Sequence, residues 1–266
     1  MSKLNATRPY IREWGTENSQ NVLLLHCSNA HSGAWNALAK ALPDYHLTAY
    51  DHPHHGRSPN WDPEMDFHTQ SYEMALSVLE ENGPMHLVGH SFGGTVALRM
   101  AAMRPDLVLS LTAIEPVYFI AALLHAPDIY TRYMDGFLGL KADIEAGNLE
   151  TAAKAFTTEW GTGIAWNKLP EDMRTYICDR IHLIAQTAPQ THEDQAGVFK
   201  HGNLDAYKGP AQLISGEDSP WIIPHVMDGI AQYLPHARRD VVAGAGHMLA
   251  LTHPNEMAKF VRRITG

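Results

Sequence analysis

The segment Gly89-His90-Ser91-Phe92-Gly93-Gly94 sets a serine between two glycines where an apolar run, His86-Leu87-Val88, meets a helical run, Thr95 to Met103. A hydroxyl presented on a sharp strand-to-helix turn is suited to attack a carbonyl carbon. Gly89 and Gly93 leave space that a β-carbon would fill, and the turn asks Ser91 for a strained backbone. The helix that follows directs the positive end of its dipole at a developing oxyanion. A serine hydroxyl is a weak nucleophile without a base. His247, in Gly244-Ala-Gly-His-Met248, lies after the last expected strand and before the last helix, where a loop can carry its imidazole over Ser91. His253 is the nearest competitor, but it adjoins Pro254 and reads as the start of that helix. The tetrahedral intermediate needs two donors: the backbone N–H of Phe92, and a second from the loop His26 to Trp35, where Ser28 is the candidate. Two carboxylates compete to orient the base. Asp218 sits in Ser215-Gly-Glu-Asp-Ser-Pro220 and Glu115 in Ala113-Ile-Glu-Pro-Val117. Both follow strands that end at the same sheet edge, and both keep the order serine, acid, histidine.

These groups meet only if a sheet brings its strand ends together. Short apolar runs at 21–26, 46–51, 85–89, 108–114, 211–215 and 239–243 read as strands. Helical patterns lie near 34–42, 67–82, 92–103, 225–233 and 255–264. Continuous apolar strands alternating with helices predict an α/β, doubly wound, mostly parallel sheet covered on both faces. The alternation stops between 117 and 208. That stretch is helical in texture, over 118–125, 129–139, 149–159 and 171–187, and is expected to be an inserted helical lid. The core is then 1–116 together with 209–266, and the lid lies over the edge where open α/β sheets bind ligands.

The chain has 266 residues, 45% hydrophobic and 18% charged, with a formal net charge of -9. The acidic excess and the lack of a basic run speak against a nucleic-acid partner. No apolar stretch is long enough to span a bilayer, and Met1 to Gly15 has no signal-type apolar region, so a cytoplasmic enzyme without a membrane partner is expected. Cys27 and Cys178 fit neither a disulfide framework nor a metal spacing and read as two free thiols. Among 17 histidines, the dense group His52, His54 and His55 sits in a Pro/Gly-rich turn. It is expected at the surface or a pocket rim rather than around a metal. No metal and no cofactor is expected. The sequence leaves the oligomeric state open, a dimer being one of the states it allows.

Together these pieces resemble the α/β-hydrolase superfamily along nearly the whole chain. His26 to Trp35 is similar to its oxyanion loop, and Gly89 to Gly94 to its nucleophile elbow. Gly244 to Met248 is similar to its histidine loop. Asp51-His-Pro-His-His-Gly-Arg-Ser58 resembles a D-x-P-G-H-G-x-S turn, with His54 in place of the usual glycine. In most members the acid is the third residue after a glycine, and counting from Gly216 puts Ser219 there. The chain resembles a subgroup with G-x-x-S-P at that point and I-E-P after the preceding strand. That resemblance favours Glu115 as the acid, with Asp218 the alternative. It implies an acyl-enzyme on Ser91, because relatives that open epoxides or displace halide carry an aspartate there.

The bonds open to such a site are esters, thioesters, lactones, some amides, and C–C bonds beside a ketone. The lid offers Tyr118, Phe119, Tyr133, Phe137, Trp160 and Trp166, and the elbow His90, as residues to line an apolar pocket. The expected partner is a small to medium hydrophobic acyl substrate, hydrolysed as a carboxylic ester. A cofactor-independent C–C hydrolase, an acyltransferase and a ligand receptor are the alternatives on the same residues.

Overall fold

The computed structural model describes residues 8–16, 20–201 and 203–266. The first seven residues of the stretch inspected for a signal lie outside the described residues. Seven strands form one sheet: β1 (Ile11–Trp14), β2 (Asn21–Leu25), β3 (His46–Tyr50), β4 (Met85–His90), β5 (Val108–Ile114), β6 (Ala211–Gly216) and β7 (Arg238–Val242). Their order is β1-β3-β2-β4-β5-β6-β7. Only β1 runs antiparallel, pairing Ile11 with Tyr50 and Trp14 with Leu47. The remaining pairs are parallel. β1 was not expected from sequence: it has four residues, and its Arg12 and Glu13 break up any apolar run.

The central strands read as unbroken apolar runs because both faces are covered. Val22 and Leu24 of β2 enter one core, with Trp35, Leu38 and Val261. Leu23 and Leu25 enter the other, with Val96, Met100 and Ile230. Helices α1 (Asn36–Ala41), α2 (Phe67–Asn82) and α3 (Phe92–Met103) follow the early strands. After β5 come α4 (Ile120–His125), α5 (Pro127–Glu145), α6 (Leu149–Trp160), α7 (Glu171–Arg180), α8 (His182–Gln186) and α9 (Ala188–Thr191). The stretch read as a single helix over 171–187 is two, α7 and α8. Helices α10 (Ile223–Tyr233), α11 (Leu249–Thr252) and α12 (Pro254–Thr265) complete the fold. No strand interrupts β5 to β6 among the described residues, so the insertion is helical. It is not uniform. α4 packs closely on α10, where Gly229 abuts the Ala121 carbonyl, and so rests on the core. Farther along, Ala152, Ala153, Leu169, Ile177 and Ile181 form a small core of the insertion's own.

Candidate active site

Ser91 follows β4 and caps α3 with φ 54° and ψ -116°, a backbone region that β-carbons disfavour. The glycines make the turn sterically possible. A β-carbon on Gly89 would meet the Gly93 carbonyl oxygen at 2.4 Å, and one on Gly93 would meet the Leu25 carbonyl oxygen at 2.2 Å. The Ser91 N–H donates to the Ile114 carbonyl at 2.9 Å, tying the elbow to β5.

The Ser91 hydroxyl lies 2.9 Å from His247 Nε2. On the other side of the ring, His247 Nδ1 donates to Glu115 Oε2 at 2.5 Å. Serine, imidazole and carboxylate thus form one continuous line, with Ser91 6% exposed, His247 4% and Glu115 fully buried. Glu115 follows β5 with φ 44°. Burial alone would raise its carboxyl, but the His247 ring, the Gly216 N–H and the Ser219 hydroxyl together hold it below its ordinary value. The Gly216 N–H donates to Glu115 Oε1 at 2.6 Å, and the Ser219 hydroxyl donates to the same oxygen. Asp218 is exposed, and among the described residues its side chain makes no hydrogen bond; only its backbone N–H is engaged, on the Ala245 carbonyl. The geometry therefore puts Glu115 on the imidazole and leaves Asp218 at the surface. Ser219, where counting from Gly216 looked for the acid, instead supports Glu115 through its hydroxyl.

Phe92 opens α3, so its N–H is among those a helix leaves without an internal partner. Phe92 and Ser28 both border the cavity above Ser91. The loop carrying Ser28 rests on a buried histidine group. The His52 N–H donates to His26 Nε2 at 2.9 Å, and His52 Nε2 donates to the His26 carbonyl at 3.0 Å. The Asn29 N–H donates to His55 Nε2 at 3.2 Å. Asp51 accepts from the Ser32 N–H at 2.5 Å and the Arg57 N–H at 2.8 Å. The expectation that His52 and His55 lie at the surface or rim is therefore corrected. Both are buried, because the turn folds under the oxyanion loop and uses their ring nitrogens to hold it. His54 remains partly exposed with φ 62°, the conformation for which the usual glycine is suited.

Burial brings His26, His90 and His192 down to about 3 and holds His52, His55 and His68 well below their ordinary value. Unfolding returns each ring to about 6.5, so below that pH the unfolded chain binds more protons than the folded one. The stability these rings contribute is complete above about 6.5. It declines as pH falls toward their folded values, by up to about 1.4 kcal/mol per pH unit for each ring. Calorimetric Tm is expected to fall steeply from pH 6.5 to 4.5, and a flat Tm across that interval would refute the neutral histidine group.

The cavity over Ser91 has a volume of about 470 Å³. Phe119, Tyr133, Phe137 and Trp160 line it. Three other residues expected there do not. Tyr118 is fully buried beneath, edge-on to Phe199 at 4.9 Å. Trp166 packs into the insertion's core and donates from Nε1 to Glu150 Oε1 at 3.3 Å. His90 sits behind the base, its Nε2 donating to the His247 carbonyl at 2.8 Å. Tyr118 and Trp166 are claimed by core packing and His90, at the end of β4, by the His247 carbonyl, and periodicity alone does not distinguish a core aromatic from a lining one. Sequence reading also missed lining residues, among them Arg132, Glu159, Thr187, His192 and Trp221. His192 lies against the Phe137 ring at 4.3 Å and the Phe119 ring at 4.8 Å, and its Nδ1 is 3.0 Å from the Tyr130 hydroxyl. The group joins His192, just after α9, to Phe119, just before α4, and to Tyr130 and Phe137 of α5.

Among the described residues, no cluster of three or more His, Cys, Asp or Glu side chains could hold a metal ion, and no helix is long and apolar enough to cross a membrane. Cys27 and Cys178 are both free, and burial pushes the Cys27 thiol up to about 12.

Comparison with known proteins adds independent observations. The chain is 24% identical over 273 residues to the esterase YbfF of Escherichia coli, covering 95% of this chain and 97% of that one. A shorter match, 37% over 107 residues, links it to the lipase LipV of Mycobacterium tuberculosis, covering 40% of this chain and 41% of that one. Among solved structures, the α/β hydrolase MGS-M2 from a Medee basin deep-sea metagenome superposes with a TM-score of 0.75 at 20% identity, covering 96% of this chain and 93% of that one. A family model described as the alpha/beta hydrolase fold matches residues 20–254. With a seven-stranded, mostly parallel sheet and a family model matched over residues 20–254, the chain belongs to the alpha/beta hydrolase fold family.

Proposed function

We propose that this enzyme hydrolyses a carboxylic ester of a small to medium hydrophobic substrate through an acyl-enzyme on Ser91. The observation that carries this reading is the line Ser91–His247–Glu115 at 2.9 and 2.5 Å beneath an aromatic cavity. Relatives named esterase and lipase support ester chemistry. As Ser91 Oγ bonds to the carbonyl carbon, His247 Nε2 takes its proton, and Glu115 stabilises the imidazolium that forms. The Phe92 and Ser28 N–H groups receive the oxyanion. His247 then protonates the departing alkoxide, and a water molecule repeats the cycle on the acyl-enzyme. The cavity's rings favour apolar acyl groups by burying them.

The test is p-nitrophenyl esters of graded acyl length, read in the first seconds. A burst of nitrophenol equal to the enzyme present, and a fluorophosphonate adduct on the peptide containing Ser91, are the expected results. No burst and no adduct would refute the acyl-enzyme.

A further inference from the structure

Two cavities share a wall formed by Ser28, Phe156 and Trp160. The first holds Ser91 and Phe92. The second, about 600 Å³, lies between the oxyanion loop, helices α6 and α7, and the chain after His247. Asn29, Met173, Ile177, Met248 and Leu251 are among its lining. Phe156 and Trp160 are four residues apart on α6, so one helix face borders both spaces. The Trp160 ring stands edge-on to His247, with centroids 4.8 Å apart.

An ester has two halves, and the chemistry tells them apart. In acylation the Ser91 oxygen bonds to the carbonyl carbon while the bond to the alcohol oxygen breaks. The proton taken from Ser91 passes from His247 to that leaving oxygen. The alcohol therefore departs from the His247 side. Met248 and Leu251, which follow His247, line the second cavity, whereas the lining of the first includes no residue from 244 to 252. Ser28 borders both and supplies the backbone N–H at the junction.

Resting on the reading of Ser91 above, we propose that the second cavity is the leaving-group chamber. Its ligand is an apolar alcohol of several carbons.

The experiment measures kcat/KM for methyl butyrate and octyl butyrate. Wild type is compared with Met173→Trp and Met173→Ala. Met173 is 48% exposed, so replacing it leaves the deep core intact. Ratios between esters within one variant do not depend on the fraction folded. Met173→Trp, which fills the chamber, is expected to lower the octyl-to-methyl ratio at least about tenfold, and Met173→Ala to preserve or raise it. An octyl-to-methyl ratio unmoved by Met173→Trp overturns the chamber. A wild type inert toward every ester, with Ser91 untouched by fluorophosphonate, sinks the serine reading and this proposal together.

Discussion

Ser91→Ala is expected to lower kcat on every ester the wild type turns over by about 10⁵- to 10⁶-fold. In the proposed mechanism the loss is large because the serine supplies the covalent intermediate, and without it His247 and the oxyanion donors have no bond to assist. What survives is the catalysis that the Phe92 and Ser28 N–H groups and the cavity give to direct attack by water. The strain at φ 54° belongs to the turn and remains in the variant, and only the hydroxyl on His247 is lost. Tm should therefore move by no more than a few degrees. Retained turnover in a preparation proven free of wild type would remove Ser91 from the mechanism.

Glu115→Gln is expected to cost about 10³- to 10⁴-fold in kcat, whereas Asp218→Asn should change it by less than about threefold. The contrast follows from position. Glu115 is fully buried and accepts from His247 Nδ1, so a neutral amide there loses the charge that stabilises the imidazolium and can impose the wrong tautomer. Asp218 is exposed and its side chain is unpaired among the described residues. Ser219→Asp in the Glu115→Gln background tests whether an acid at this position can serve. Its hydroxyl already reaches Glu115 Oε1, so a carboxylate there lies close to the ring, and recovery of at least about tenfold is expected. A large loss in Asp218→Asn with little in Glu115→Gln would reverse the assignment.

Six of the seven strands were legible from sequence, the five inner ones as apolar runs because a sheet buried on both faces demands continuous apolar segments, and most helices flanking the core were legible too. The elbow was legible for a steric reason: few sequences besides small-x-Ser-x-small satisfy so tight a strand-to-helix turn. β1 was not, since a four-residue edge strand buries little and carries charged side chains.

By itself the sequence determined the fold class and the segments bearing Ser91, His247 and the two rival acids, because local backbone geometry and burial restrict residue choice over a few positions. Only the tertiary structure decided which acid meets the imidazole, that His52 and His55 are buried supports, and that Tyr118 and Trp166 face a core while His192 and Trp221 face the cavity. Those outcomes depend on how strand ends converge and how insertion helices roll against the sheet. Such contacts join residues separated along the chain by anything from 16 positions (Trp166 and Glu150) to 132 (Glu115 and His247), and no local pattern encodes them.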